Sequence, residues 1–337
     1  MHALLRALAV HLPSGRLTNE QLQAEHPDWN IAQLAAKIGI DERPVAAEDE
    51  TAGDLAYAAG NKLLGQCGID RGSIDFLLYC TQSPDVIIPA NACVLHHRLG
   101  LRDNCAAIDI NQACSGYVYG LHLARSLVIS GSSRNVLLIT AETYSKYIDP
   151  GDRTTRLLFG DAASASLISA EGPGAIIGNG CLGTDGSGAS NLTLVRGWNG
   201  NSAGGVCCPN PGTSHRQNGI LTMNGYALLQ FALRRVPEVV QQTLAANGLA
   251  MAGVNWFVLH QANRFMNEHL RVKLGLDATR APEFVRSVGN TVSNTIPIVL
   301  AEWKDRFRPG DKTMVIGFGA GYSWGACVLD WGPVLVA

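Results

Sequence analysis

Short apolar runs, each closed by glycine, asparagine or aspartate, alternate along this chain with stretches whose apolar residues recur at helical spacing. The alternation predicts an α/β protein, because runs apolar throughout are what strands buried on both faces require. The runs at 74–80, 105–110, 135–140, 163–169, 256–260 and 313–317 are the predicted strands. The pattern also repeats. Residues 54–68 read as an amphipathic helix, followed by Gly68-Ile69, a polar turn and the run 74–80. Residues 236–247 read as a similar helix, followed by Gly248-Leu249, a turn and the run 254–260, about 180 residues further on. The runs 135–140 and 312–317 form a second pair in the same order. α/β units resemble one another, so these matches favour duplication without compelling it. Duplication would give two similar halves, 1–177 and 220–337, packed about a pseudo-twofold axis. Between them the pattern is least regular, over 178–219, which is expected to be a lid, a pocket wall or a link. Its Leu192, Leu194, Val195 and Trp198 argue against full disorder.

Composition narrows the classes. At 337 residues the chain is long enough for two domains or one large fold built from two halves. Only 16% of it is charged, which calls for a large core or a large interface. With 26 Lys and Arg against 28 Asp and Glu, no basic excess draws a nucleic acid. The apolar stretches fall short of the roughly 18–20 residues of a membrane span. The N-terminal run is broken by Arg6 and His11 and closed by Pro13-Ser14-Gly15, so no signal peptide is read. Nine scattered cysteines, without a C-x-x-C pair, suit neither a disulfide framework nor zinc, and the adjacent Cys207-Cys208 suit neither use well. The expected compartment is the cytoplasm, and no metal site is expected.

Four places could carry chemistry. Cys114 follows the run ending at Ile110 and precedes a helix-permissive, mostly apolar stretch, so its sulfur belongs at a helix N-terminus, where unpaired N–H groups favour a thiolate. A buried structural cysteine is the competing reading. His260 ends the run 256–260, a position at which α/β enzymes hold catalytic groups, although a structural histidine also fits. Asn290, between Gly289 and a helix beginning near Ser293, is a neutral amide donor or a helix cap. The stretch Gly317-Phe318-Gly319-Ala320-Gly321 follows the last run; its glycines would let a backbone N–H face a substrate oxygen, and it lacks the Lys-Ser/Thr ending of a P-loop.

Taken in order, Gln112-Ala113-Cys114-Ser115-Gly116, the segment Asp149 to Asp161, His260-Gln261-Ala262-Asn263, Gly289-Asn290-Thr291 and Gly317 to Gly325 span nearly the whole chain. Together they resemble the β-ketoacyl-acyl-carrier-protein synthase III family of the thiolase superfamily. The resemblance implies a five-layered αβαβα sandwich of two duplicated halves, usually homodimeric. It implies Cys114 as the acyl-accepting nucleophile, with His260 and Asn290 completing the set and Gly321 joining Cys114 in an oxyanion hole. It implies Arg153 and Trp29 around the adenine of coenzyme A, Asn263 and Phe318 along the substrate path, and Ile88 reaching into the partner's acyl pocket.

The reaction so implied is a decarboxylating condensation. An acyl-coenzyme A acylates Cys114, a malonyl thioester on an acyl carrier protein loses carbon dioxide, and its enolate, held by His260 Nε2 and Asn290 Nδ2, attacks the acyl group. No metal or organic cofactor is expected. Two departures stand out: Phe265 holds a position where the family often has a carrier-docking arginine, with Arg264 just before it, and Lys37 replaces an N-terminal arginine. An acyltransferase of the same fold, passing its acyl group to a small acceptor, is the alternative. A non-catalytic role fits poorly with an intact Cys-His-Asn set. A thiolase fits poorly with Cys327, which no Cys-x-Gly setting surrounds.

Overall fold

The computed structural model describes residues 2–194 and 219–337. Its main sheet has ten strands. In spatial order they are Trp256–Leu259, Lys312–Gly319, Ser323–Asp330, Ala175–Thr184, Leu4–His11, Ala162–Ser169, Asn135–Glu142, Phe76–Cys80 and Ala106–Ile110, with Leu335–Val336 alongside Leu4–His11. The order is nearly mirrored about its middle. Phe76–Cys80 runs parallel to Asn135–Glu142, which pairs antiparallel with Ala162–Ser169. In the same way Trp256–Leu259 runs parallel to Lys312–Gly319, which pairs antiparallel with Ser323–Asp330. The repeat read from the sequence is therefore a repeat of topology. Among the described residues, Ala106–Ile110 has no counterpart in the second half and forms a free sheet edge.

Alternation within single strands builds the layers. Leu137 and Ile139 face the outer helices Ala52–Gln66 and Asn91–Leu99, while Val136 and Leu138 face the inner helix Gly116–Ile129. In the second half Met314 and Ile316 meet Phe231, Val236 and Leu270 of the outer helices Gly225–Ala246 and Arg264–Lys273. Val315 turns inward to Tyr117, Leu121, Ile296 and Val299. The inner layer is thus Gly116–Ile129 with Thr295–Glu302, apolar on most sides because a sheet covers it from both directions.

Part of the stretch expected to be irregular is regular. Ala175–Thr184 is a full strand between Ser323–Asp330 and Leu4–His11, and Leu192–Leu194 pairs with Leu221–Met223. The glycines that read as loop are close-packing positions: a Cβ on Gly183 would lie 2.4 Å from the Trp324 indole. Val195, Trp198 and Cys207-Cys208 lie outside the described residues. Among the described residues, no helix is long and apolar enough to cross a membrane.

Candidate active site

Cys114 sits in the turn between the strand Ala106–Ile110 and the helix Gly116–Ile129, buried at 4% exposure. The second half comes to it along the strand Lys312–Gly319. A Cβ on Gly319 would stand 2.9 Å from Cys114 Cβ and 3.2 Å from its sulfur, so only glycine lets that strand pass. Ser115 Oγ and Ser323 Oγ, 2.7 Å apart, then tie the nucleophile turn to the residues just after Gly321. Gly321 itself has φ +134°, a conformation that favours glycine. Gly319→Ala is expected to cost about 1–3 kcal/mol by overpacking and to slow acylation of Cys114, checked by thermal unfolding and acyl-adduct formation.

Asn290 is brought in by a seam between the halves. Its backbone N–H donates to Leu158 O at 2.8 Å, and Gly160 N–H donates to Asn290 O at 3.0 Å. Gly289, at φ +62°, makes this approach possible, since a Cβ there would meet Leu158 O at 2.5 Å. Asn290 Oδ1 accepts the Val292 N–H at 2.9 Å, which leaves Nδ2 as the free donor of that amide. Asn294 strengthens the seam: its Nδ2 donates to Ala162 O, and its Oδ1 accepts from Thr140 Oγ1.

His260 follows the strand Trp256–Leu259 and is 2% exposed. Its Nδ1 lies 2.7 Å from Thr295 Oγ1, and Phe318 packs edge-on against the ring at 5.3 Å. Burial pulls the imidazole down to about 3, against an opposing hydrogen bond with the Val292 backbone, so His260 is neutral at pH 7. Burial likewise pushes the Cys114 thiol well up, with Glu142 adding to the rise and the cysteine's own backbone N–H opposing it. The helix terminus favours a thiolate and burial opposes it.

Glu142 is a fully buried carboxyl that sequence reasoning passed over. It accepts from Gln82 N–H and from Ser83 Oγ at 2.9 Å, and burial raises it to about 8. An acid raised on folding stabilises the fold fully below its ordinary 4.5, and that stability is lost as pH climbs through about 8. His260, lowered on folding, has the opposite sign and loses stability as pH falls below its ordinary 6.5. Between pH 6.5 and 8.5 Glu142 therefore acts alone of the two. Wild type should lose on the order of 1–2 kcal/mol across that window, and Glu142→Gln should flatten the loss, read by urea unfolding at both ends.

The remaining site residues fall in several places. Trp29 is buried with Leu22, Ile31 and Leu157, and His26 stacks on its ring at 3.8 Å, so a sandwich with Arg153 is not preformed. Arg153 is exposed at the start of the short helix Arg153–Arg156, whose following Leu157 packs in the Trp29 cluster. Asn263 spends its Oδ1 on the Met266 N–H as a helix cap, and Phe318 packs edge-on against the His260 ring. Arg264 pairs with Glu283 at 2.9 Å, so its charge is partly answered within the chain. The departures Lys37 and Phe265 meet, the ammonium 4.5 Å from the ring centre. Ile88 is 86% exposed. Among the described residues, no cluster of three or more His, Cys, Asp or Glu could hold a metal ion.

A buried cysteine at a helix entrance on one half of a duplicated α/β sandwich, with a buried histidine and an oriented asparagine amide on the other, belongs to a thiolase-fold enzyme. Residues 108–186 match the 3-oxoacyl-[acyl-carrier-protein (ACP)] synthase III family, and residues 244–331 match the C-terminal part of that family. The chain is 32% identical over 332 residues to a β-ketoacyl-[acyl-carrier-protein] synthase III of Neisseria meningitidis serogroup B, covering 98% of this chain and 99% of that one. A crystal structure of a 3-oxoacyl-(acyl-carrier-protein) synthase III superposes with a TM-score of 0.90 at 42% identity, covering 98% of this chain and all of the other. The corresponding synthase of Burkholderia xenovorans LB400 gives 0.90 at 34%, covering 100% and 97%. The chain belongs to the 3-oxoacyl-acyl-carrier-protein synthase III family.

Proposed function

We propose that this enzyme condenses an acyl group, taken from coenzyme A onto Cys114, with a malonyl thioester on an acyl carrier protein, releasing carbon dioxide and a 3-oxoacyl thioester. The reading is supported by buried Cys114 lying against Gly319 of the second half, with buried His260, whose ring meets Phe318 next to Gly319, and buried Asn290 on that same half. In the first half-reaction the Cys114 sulfur, having lost its proton, bonds to the acyl carbon while the carbon–sulfur bond to coenzyme A breaks. Backbone N–H groups near Cys114 and Gly321 hold the transient oxyanion. In the second, the bond from the malonyl methylene to its carboxylate breaks, and the electron pair passes into an enolate. Asn290 Nδ2 and His260 Nε2 donate to the enolate oxygen. The enolate carbon bonds to the acyl carbon, and Cys114 leaves as thiolate to be reprotonated. Decarboxylation itself supplies the carbon nucleophile, so the scheme calls on no cofactor.

Coenzyme A would enter past Arg153 and Trp29, with His26 displaced from the indole face. The carrier would meet the surface of Lys37, Arg264 and their neighbours. A homodimer accounts for the free strand Ala106–Ile110 and the apolar loop beside it. Ile87 and Ile88, 84% and 86% exposed, stand on a loop pinned by Asn91 and Asp109 rather than a loose one. The double change Ile87→Asp with Ile88→Asp should turn dimer into monomer in sedimentation velocity.

The reading is tested by supplying malonyl carrier protein to enzyme acylated from a panel of acyl-coenzyme A esters. Carbon dioxide and a 3-oxoacyl product are expected. Acyl transfer to a small acceptor without carbon dioxide would instead mark the chain as an acyltransferase of the same fold.

A further inference from the structure

One of the largest fully buried side chains in this protein is a charged one. Arg43, on the short strand Glu42–Val45, is 0% exposed. Its Nη1 donates to Leu17 O at 3.0 Å, and its Nη2 donates to Asn19 Oδ1 and to Leu157 O, both at 2.9 Å. All three acceptors are neutral oxygens, and Nε has no hydrogen-bond partner. Burial pulls the guanidinium down to about 10, with Arg156 adding to the fall and Asp41 and Glu42 opposing it, so the charge remains at pH 7. A charge buried without a bonded counter-ion is costly, and an apolar side chain of similar length would fill the space with less penalty. The reason for an arginine lies in what it grips.

The gripped groups frame Asn290. Leu157 O lies one residue before Leu158, whose carbonyl accepts the Asn290 N–H at 2.8 Å. Two residues further on, Gly160 N–H donates to Asn290 O at 3.0 Å. The stem of Arg43 lies against the same seam: a Cβ on Gly289 would stand 3.3 Å from Arg43 Cβ, and a Cβ on Gly160 would stand 3.2 Å from it. The rest of the strand is tied in as well. Asp161 N–H donates to Pro44 O at 2.9 Å, and the Asp41 and Glu42 N–H groups reach Arg286 O at 2.8 and 3.2 Å. Three segments, 41–44, 157–161 and 286–290, therefore meet at Arg43. Both backbone bonds that place Asn290 run to the middle one.

Resting on the condensation proposed above, we infer that Arg43 is a positioning residue for the enolate donor Asn290: its guanidinium fixes residues 157–160, and through their backbone it sets where Asn290 Nδ2 stands. It touches no substrate in this role. Arginine suits the task because its planar fork presents two terminal nitrogens to oxygens of separate segments, whereas lysine offers a single nitrogen.

Arg43→Lys keeps the charge and loses the fork. In this variant amide hydrogen exchange at Asn290, read by mass spectrometry on the peptide 286–294, should quicken about tenfold or more. Exchange across the strand Trp256–Leu259 should stay as in wild type. Carbon dioxide release by the pre-acylated enzyme should fall about 10- to 100-fold, the scale of a donor displaced by roughly 1 Å. Acylation of Cys114 should stay within about threefold. Asn19→Ala removes one anchor of the guanidinium and leaves Arg43 in place. It should move both readouts the same way by about 3- to 10-fold, and it decides the matter if Arg43→Lys does not fold. Wild-type exchange at Asn290 in both variants overturns the inference. So does acylation falling in step with decarboxylation, with exchange rising across the whole chain, which would make Arg43 a residue of general stability. Should wild type release no carbon dioxide from any malonyl thioester, the proposed reaction falls, while the exchange measurement still decides whether Arg43 holds Asn290.

Discussion

Enzyme incubated with an acyl-coenzyme A gains one acyl mass on Cys114, and neither Cys114→Ala nor Cys114→Ser gains it. Both variants should lose condensation by about 10⁴-fold or more, since the nucleophile forms the covalent intermediate on which both half-reactions depend. The serine variant is the sharper of the two. It keeps the shape and the position at the helix entrance, but burial that already pushes a thiol up leaves a buried hydroxyl inert. A second buried sulfur provides the control. Cys80 donates to the Gln112 carbonyl just before the nucleophile turn, and its own thiol is likewise raised by burial. Cys80→Ala should therefore still take up the acyl group. The direction of the Cys114 shift adds a pH signature. Below its raised pKa the thiolate fraction grows about tenfold per pH unit, so acylation should accelerate as pH rises from 6 to 8. Intact-protein mass spectrometry over time reads all three expectations.

How far the sequence announced this site depended on the signal each residue left. The six predicted strands are all present with ends shifted by one or two residues; most are runs buried on both faces, which leave a pattern that few other contexts produce, while Ala106–Ile110 is a partly exposed edge strand rather than a buried one. Three long strands of the main sheet escaped for physical reasons. Leu4–His11 lies in the middle of the sheet, yet Arg6 and His11 interrupt its run. Ala175–Thr184 and Ser323–Asp330 carry glycines that read as loop but are there so that neighbouring chains can pack closely. Cys114, His260 and Asn290 stood out as candidates because strand ends and helix starts are visible in the pattern, but the pattern left a buried cysteine, a structural histidine and a helix cap equally open, and only the ordered family motifs singled them out. Arg43 did not stand out. An arginine reads as a solvated surface residue, and nothing in the pattern announces that this one is buried. The low charge content is now placed as well: one large apolar cluster surrounds the inner helices, and one lies under the outer helices of each half.

Removing the Asn290 amide should separate the two half-reactions. Asn290→Ala is expected to cut carbon dioxide release from malonyl carrier protein by about 10²–10³-fold, the usual cost of one preorganised donor at a developing oxyanion. Acylation of Cys114 should persist, because Asn290 Nδ2 serves the enolate and not the first oxyanion. Asn290→Asp should be worse than alanine. The Val292 N–H would hold one carboxylate oxygen as it now holds Oδ1, leaving the other where Nδ2 stood. A negative charge would then face the oxygen on which the enolate charge develops, in a site too dry to screen it. His260→Ala should match Asn290→Ala in sign, and the double variant should lose less than the product of the two. Both donors grip one oxygen, and once one is gone the other holds a misplaced substrate. The measurement is radiolabelled carbon dioxide from [3-¹⁴C]malonyl carrier protein, beside intact-mass acylation of the same samples. Loss of acylation in step with decarboxylation would move Asn290 out of the enolate site and into the support of Cys114.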